Sequence, residues 1–232
     1  QDINDRIPTG IPIIVDEDII KIPSLNRILQ ELTKNLKREI EIIHQNELIT
    51  VGELWSFTTI NQLVPNYKNA SLSKDIDYLF DKEYIQKLRN SLLPLKSDRE
   101  FPTKIFITRK NTNKRNFNED DVFSILEPYG FVKIAPEEFS IENQINLFYN
   151  AQWIVGGSGA ALTNSLFCQP NCNIVCIIGR IGHVATCFTA PVHFNNAKIY
   201  YYQQDNKATG VHSDFHVDKE VFNQYFKSIV KV

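Results

Sequence analysis

Apolar residues recur along this chain in two rhythms. Short unbroken runs at Ile11 to Val15 (IPIIV), Lys104 to Thr108 (KIFIT), Phe131 to Ile134, Trp153 to Val155 and Ile174 to Ile178 have the length and content of buried strands. Glu41 to His44, Glu47 to Val51 and Tyr200 to Tyr202 are shorter strand candidates, and Glu53 to Leu63 reads as partly extended. Between the runs, apolar residues return at helical spacing. Leu25, Ile28, Leu29 and Leu32 follow a helix start at Pro23-Ser24, and Ile76, Leu79, Phe80, Tyr84, Ile85, Leu88 and Leu92 predict a helix over 75–93. Val122, Phe123, Ile125 and Leu126 predict one over 119–129, closed by Gly130, and Ser140 opens another over 140–149. Val221, Phe222, Tyr225, Phe226 and Ile229 predict an amphipathic closing helix over 217–232. Strands alternating with helices indicate βαβ units and a parallel sheet, an α/β fold. The charged, proline-bounded connector Pro94 to Pro102 divides the chain into an N-terminal α/β part over 1–95 and a Rossmann-like part over 96–232.

The stretch Ala151 to Phe167, AQWIVGGSGAALTNSLF, stands out within this pattern. An apolar strand runs into Gly156, Gly157, Ser158 and Gly159, after which helix formers resume. Glycines at such a bend permit positive φ and close approach of a ligand to the backbone. The helix behind it would present unpaired N–H groups to an anion such as a pyrophosphate. The bend is neither GxGxxG nor a P-loop, so alone it is equally well read as plain α/β architecture. Arg109 at the carboxyl end of KIFIT and Arg115 in the following loop, with Lys110 and Lys114 beside them, bring guanidinium groups toward the same rim of a parallel sheet.

Composition narrows the classes. A formal net charge of −2 over 232 residues gives no nucleic-acid surface, and no apolar run approaches the roughly 20 residues of a membrane span. The chain has no methionine and starts Gln1-Asp2-Ile3, so it is expected to be a piece of a longer translation product. Cys168, Cys172, Cys176 and Cys187 lie close in sequence, but without a CxxC pair or a partner His they read as buried reduced thiols rather than a metal site.

Taken in order, ITRKNTNKRNFNE, GFVKIAPEEFSIENQINLFYNAQWIVGGSGAALTNSLF and HSDFHVD resemble the catalytic domain of glycosyltransferase family sixty-one, which includes bacterial capsular polysaccharide transferases. The resemblance covers about residues 104–168 and falls on Arg109, Arg115, Asn118, Glu119, Gly130, Phe131, Glu138, Gln144, Ala151 and Gly157 to Asn164. It implies a GT-B architecture, with the nucleotide-sugar held mainly by the C-terminal domain, and metal-independent inversion at the anomeric carbon. In that scheme Arg109 and Arg115 neutralise the diphosphate, and Gly157, Ser158, Gly159 and Ala160 cradle it with backbone N–H groups. Thr163 donates to a phosphate oxygen, Leu162 and Asn164 complete the donor-site motif, Glu138 holds ribose or sugar hydroxyls, and Gln144 orients the loop.

Ser158 stands where most relatives carry His, and a hydroxyl supplies neither positive charge nor a proton at neutral pH. An inverting transfer also needs a base for the acceptor hydroxyl. Asp16, Asp18 and Glu138 are the candidates, with Glu17 between the first two, and His212 and His216 flank Asp214 as a wall of the site. The expected partners are a nucleotide-sugar and a glycan, glycolipid or glycoprotein acceptor, with peripheral membrane association. The expected location is cytoplasmic, against the inner membrane, or the secretory lumen if the source is eukaryotic. A non-catalytic nucleotide-binding or interaction domain on the same fold is the competing reading, and an NAD-dependent Rossmann enzyme is disfavoured by the lack of GxGxxG.

Overall fold

The computed structural model describes residues 6–55, 62–63, 78–79, 81–109, 116–179, 190–203 and 213–230. The chain opens with strand β1 (Ile13–Asp16), the short helix α1 (Glu17–Lys21), helix α2 (Pro23–Thr33) and strand β2 (Ile40–Ile43), which lies parallel to β1. This is one βαβ unit, and its strand is less buried than the run IPIIV suggested. Only Val15 of β1 is buried, because the sheet holds two strands and Ile14 and Ile42 face outward. The strand expected over Glu47 to Val51 does not form. Asn46 turns the chain with φ 66°, Glu47 N–H donates to the His44 carbonyl at 3.0 Å, and Leu48 is left 96 % exposed.

Strands β3 (Gln62–Leu63) and β4 (Tyr78–Leu79) pair antiparallel, so the helix expected from residue 75 starts later. Helix α3 (Lys82–Leu92) begins at Asp81, whose side chain accepts the Tyr84 N–H at 2.7 Å. Leu79 matches the helical period yet lies in β4, and the cap at Asp81 sets the start of α3. α2 and α3 precede residue 95, yet Ile85 and Leu92 are buried in the same apolar cluster as the strands that follow it. Arg27 of α2 also pairs with Glu142 at 2.9 Å.

After the connector the order is β5 (Lys104–Ile107), α4 (Glu119–Leu126), β6 (Val132–Ile134), α5 (Ile141–Asn150), β7 (Trp153–Gly157), β8 (Asn173–Ile178), β9 (Lys198–Gln203) and α6 (Lys219–Ile229). The five strands form one parallel sheet ordered β6-β5-β7-β8-β9. Side-chain alternation divides the core between its faces. Ile105, Ile107, Ile154, Ile174 and Cys176 point to the face covered by α3 and α5, and Phe106, Val155, Val175 and Ile177 to the face covered by α4 and α6. The caps match the sequence. Gly130 ends the α4 segment at φ 83°, Ser140 accepts the Asn143 N–H, and Asp218 accepts Glu220 and Val221 N–H groups. Cys168, Cys172 and Cys176 are buried thiols, and Cys187 lies outside the described residues. A hydrogen bond donated to Cys172 and burial together push the Cys168 thiol up.

Candidate functional site

The strand order fixes where a ligand would sit. From β5 the chain crosses to β6 on one side and returns to β7 on the other, so the carboxyl ends of β5 and β7 flank the switch point of the sheet. Open α/β sheets hold ligands in that crevice. Thr108 and Arg109 leave β5 there, and Ser158 and Gly159 leave β7. The two exits meet: Arg109 Nη2 donates to the Ser158 carbonyl, and the guanidinium lies over Gly159.

The small residues of the bend answer three different neighbours. A Cβ on Gly156 would stand 2.9 Å from Ile107 Cβ of the adjacent strand, and one on Gly157 would stand 3.0 Å from the Phe117 ring. One on Gly159 would run into the Arg109 guanidinium. The expectation of positive φ at the bend is corrected: among the described residues Gly10 and Gly130 are the glycines with positive φ, and Gly159 is fully extended at φ 174°. Close approach requires these glycines, not left-handed backbone.

The segment after the bend, Ala160–Phe167, is a 3-10 helix rather than the expected α-helix. Leu162 N–H reaches back to the Gly159 carbonyl at 2.9 Å, and the Thr163 hydroxyl donates to the Ala160 carbonyl at 2.6 Å. That geometry leaves the N–H groups of Ala160 and Ala161 without an acceptor inside the helix, one and two residues beyond the Gly159 that the guanidinium covers. Ser158 N–H donates to Ile177 at 2.9 Å, and Gly157 is in register with Ile177, so the exposed amides begin beyond Ser158. The Leu162 side chain is wholly buried in the core. Asn164 donates to Gln144 at 2.9 Å and Gln144 to the Phe139 carbonyl at 2.9 Å, which ties the 3-10 segment to α5.

Other anchors come from residues that carried no role in the sequence. Buried Asn195 donates to the Ser165 and Leu166 carbonyls at 3.0 and 2.6 Å, and Arg89 of α3 donates to Leu166 at 3.0 Å and Cys168 at 3.4 Å. An isolated Asn or Arg gives no sequence signal of such a clamp. Glu119 did fall on a motif position. Its half-buried carboxylate accepts the Thr108 hydroxyl and the Arg109 backbone N–H, and burial pushes its pKa up against the pull of Thr108, Lys133 and Arg109.

The segment 213–217 does border this crevice. Asn116 N–H donates to Asp214 at 2.7 Å, Phe215 N–H to the Asn116 carbonyl at 2.9 Å, and the Asn118 amide exchanges hydrogen bonds with Val217 N–H and carbonyl at 2.8 and 3.0 Å. Phe215 stacks on Phe117 with ring centres 5.2 Å apart and presses on Gly179. Arg115 and His212 lie outside the described residues. Glu138 stands exposed on the turn Pro136–Glu138 after β6, on the same sheet edge as Arg109. Asp16 caps α1 by accepting Asp18 N–H at 2.8 Å, and Asp18 is exposed on α1. Glu17 is paired with Lys21 at 2.7 Å and His44 at 3.0 Å, contacts that hold its carboxyl down to about 2.

Comparison with known families places this crevice in context. The model of the family described as Glycosyltransferase 61 matches residues 53–175, more than half of the chain, and spans β5 through the bend into β8. No curated protein matches the chain.

Proposed function

Given that the chain belongs to glycosyltransferase family 61 and is a glycosyltransferase, we propose that it moves a sugar with inversion from a nucleoside-diphosphate donor whose diphosphate lies between Arg109 and the Gly157–Ala161 bend. The observation that carries this reading is the meeting of the Arg109 guanidinium with the bend at the β5/β7 switch point. In the transfer an acceptor hydroxyl oxygen bonds to the anomeric carbon as the bond to the phosphate oxygen breaks, and the hydroxyl proton passes to a carboxylate base, for which Glu138 is the candidate on this sheet edge. Charge then accumulates on the departing diphosphate. A guanidinium fork and oriented amide N–H groups are suited to take it up, and such donors act most strongly where charge develops. With arginine and amides in this role, no divalent ion is required, and a GT-B arrangement would bring the acceptor to the rim where Glu138 stands. Thr163 would have to release the Ala160 carbonyl to reach a phosphate. The acceptor class we favour is a growing surface glycan or its lipid-linked precursor.

The test is turnover against a panel of UDP-, GDP- and CMP-sugars, with and without excess EDTA, together with calorimetry of the free nucleoside diphosphates. Arg109→Ala is expected to weaken the preferred diphosphate about tenfold or more, about 1.4 kcal/mol. Undiminished affinity in that variant would remove Arg109, and with it the pocket, from the reaction.

A further inference from the structure

Three acidic residues open α4, and they do not behave alike. Asp120 and Asp121 are exposed, where they complement the helix dipole at no burial cost. Glu119 is turned inward instead, under the exit of β5. A half-buried carboxylate is costly to place there, and charge–dipole stabilisation of α4 would be equally served by a solvated side chain. Its two acceptor contacts say what the placement achieves. One is the Thr108 hydroxyl, on a residue whose own N–H is fixed to Ile134 of β6 at 2.9 Å. The other is the backbone N–H of Arg109, the first residue free of the β5 ladder.

We propose that Glu119 is the positioning residue for Arg109: it fixes the two residues leaving β5 and so sets the line along which the guanidinium reaches Gly159 and the bend. This rests on the reading of Arg109 as a diphosphate ligand. The carboxylate holds backbone and hydroxyl donors, so its contribution lies in hydrogen-bond geometry more than in charge. Arg109 is a long side chain crossing a gap between two strands, and a shift of its root moves its tip off Gly159 and the Ser158 carbonyl. Pre-set roots of this kind reduce the ordering a ligand must impose on binding.

The experiment measures binding of UDP, GDP and CDP by calorimetry to the whole chain and to Glu119→Ala, Glu119→Gln, Thr108→Val, Arg109→Ala and the double variant Arg109→Ala/Glu119→Ala. Glu119→Ala is expected to weaken the tightest diphosphate about tenfold. Glu119→Gln, whose amide oxygen can accept the Arg109 N–H while its NH2 group donates to the Thr108 hydroxyl, should stay within about twofold of the parent, and the double variant should bind no more weakly than Arg109→Ala alone. Thr108→Val, which removes one hydroxyl and little else, should give a smaller loss in the same direction that vanishes once Arg109 is alanine. It keeps the test open should Glu119→Ala fold poorly. Normal affinity in Glu119→Ala beside a weakened Arg109→Ala overturns this proposal alone, as do additive losses in the double variant or a Gln variant as weak as the Ala one. Normal affinity in Arg109→Ala overturns both this and the donor-site reading.

Discussion

Gly156 and Gly159 are three residues apart on one bend, and alanine at each should fail in a different way. At Gly159 the new methyl would occupy the space of the Arg109 guanidinium, the far end of a flexible side chain. The backbone there is extended, at φ 174° and ψ 174°, which alanine adopts without strain. Arg109 would therefore swing away rather than the strand moving. Losing its hydrogen bond to the Ser158 carbonyl costs about 1.5 kcal/mol, at the low end for a charged donor because the contact is only part-buried. Replacing glycine returns about 0.4–1 kcal/mol through the unfolded chain. The net change in stability is then about 1 kcal/mol or less, a melting shift of roughly 2–4 °C at most for a chain of this size.

At Gly156 the methyl would meet Ile107 Cβ at 2.9 Å and the Ile107 carbonyl at 3.3 Å, atoms of a central strand that cannot rotate out of the way. Overpacking of that kind costs about 1–3 kcal/mol. The assay is thermal melting paired with calorimetry of UDP or GDP. Gly159→Ala should melt within about 4 °C of the parent and lose diphosphate affinity about tenfold, and Gly156→Ala should melt lower still while its folded fraction binds normally. Affinity kept in Gly159→Ala, or the two phenotypes exchanged, would refute the argument that the bend is small to admit Arg109.

Ser158→His restores the residue most relatives carry, and its imidazole, with an ordinary pKa near 6.5, should make diphosphate affinity rise as pH falls from about 8 to 5.5 relative to the parent chain; parallel pH profiles would count against Ser158 facing the ligand. Burial raises the Glu119 carboxyl despite the facing Thr108 hydroxyl and the charges of Arg109 and Lys133, so the folded chain binds that proton more tightly than the unfolded one. The resulting stability is fully present below the ordinary carboxylate pKa and is lost as pH rises through the raised value. Glu119→Gln should therefore melt above the parent at pH 7, with the difference closing toward about pH 4, and a constant difference would contradict the sign. Asn195→Ala removes two buried hydrogen bonds, to carbonyls that keep Cys168 N–H and Arg89 as their other donors, and at about 0.5–1.5 kcal/mol each should destabilise by about 1–3 kcal/mol in urea melts, with an unchanged midpoint disproving the clamp.

The parallel sheet was legible because four of its five strands are apolar runs, with β9 marked only by Tyr200 to Tyr202, and Gly130, Ser140 and the Pro23 start marked ends by local chemistry. What failed were signals whose meaning depends on a partner elsewhere. Residues 47–51 have strand composition but no neighbouring strand among the described residues, and residues 78–79 fit a helix period yet pair with 62–63. The bend was found, but its reason was misassigned: glycine there serves packing against Ile107, Phe117 and Arg109, which only the fold brings near. Arg109 was reachable from its place after KIFIT, whereas Arg89 and Asn195 each act through two backbone carbonyls far away in sequence.

These anchors divide the crevice into a fixed half and a movable half. The 3-10 segment Ala160–Phe167 is held at its middle by Asn164 on Gln144 and at its end by Asn195 and Arg89, from three separate elements. Its first amides are therefore carried on a scaffold that cannot relax toward a ligand. Arg109 is tied at its root by Glu119, while its tip donates to the Ser158 carbonyl of the bend. A diphosphate entering over Ala160 would find the amides already oriented and would need to draw only the guanidinium from the Ser158 carbonyl onto its own oxygens. That exchange replaces a hydrogen bond to a neutral acceptor by one or two to an anion, which are roughly twice as strong. The same economy explains how Ser158 can stand where an imidazole is usual. On the proposed reading Arg109, rooted in β5, would bring positive charge to the diphosphate, and the β7 exit would supply shape and N–H groups.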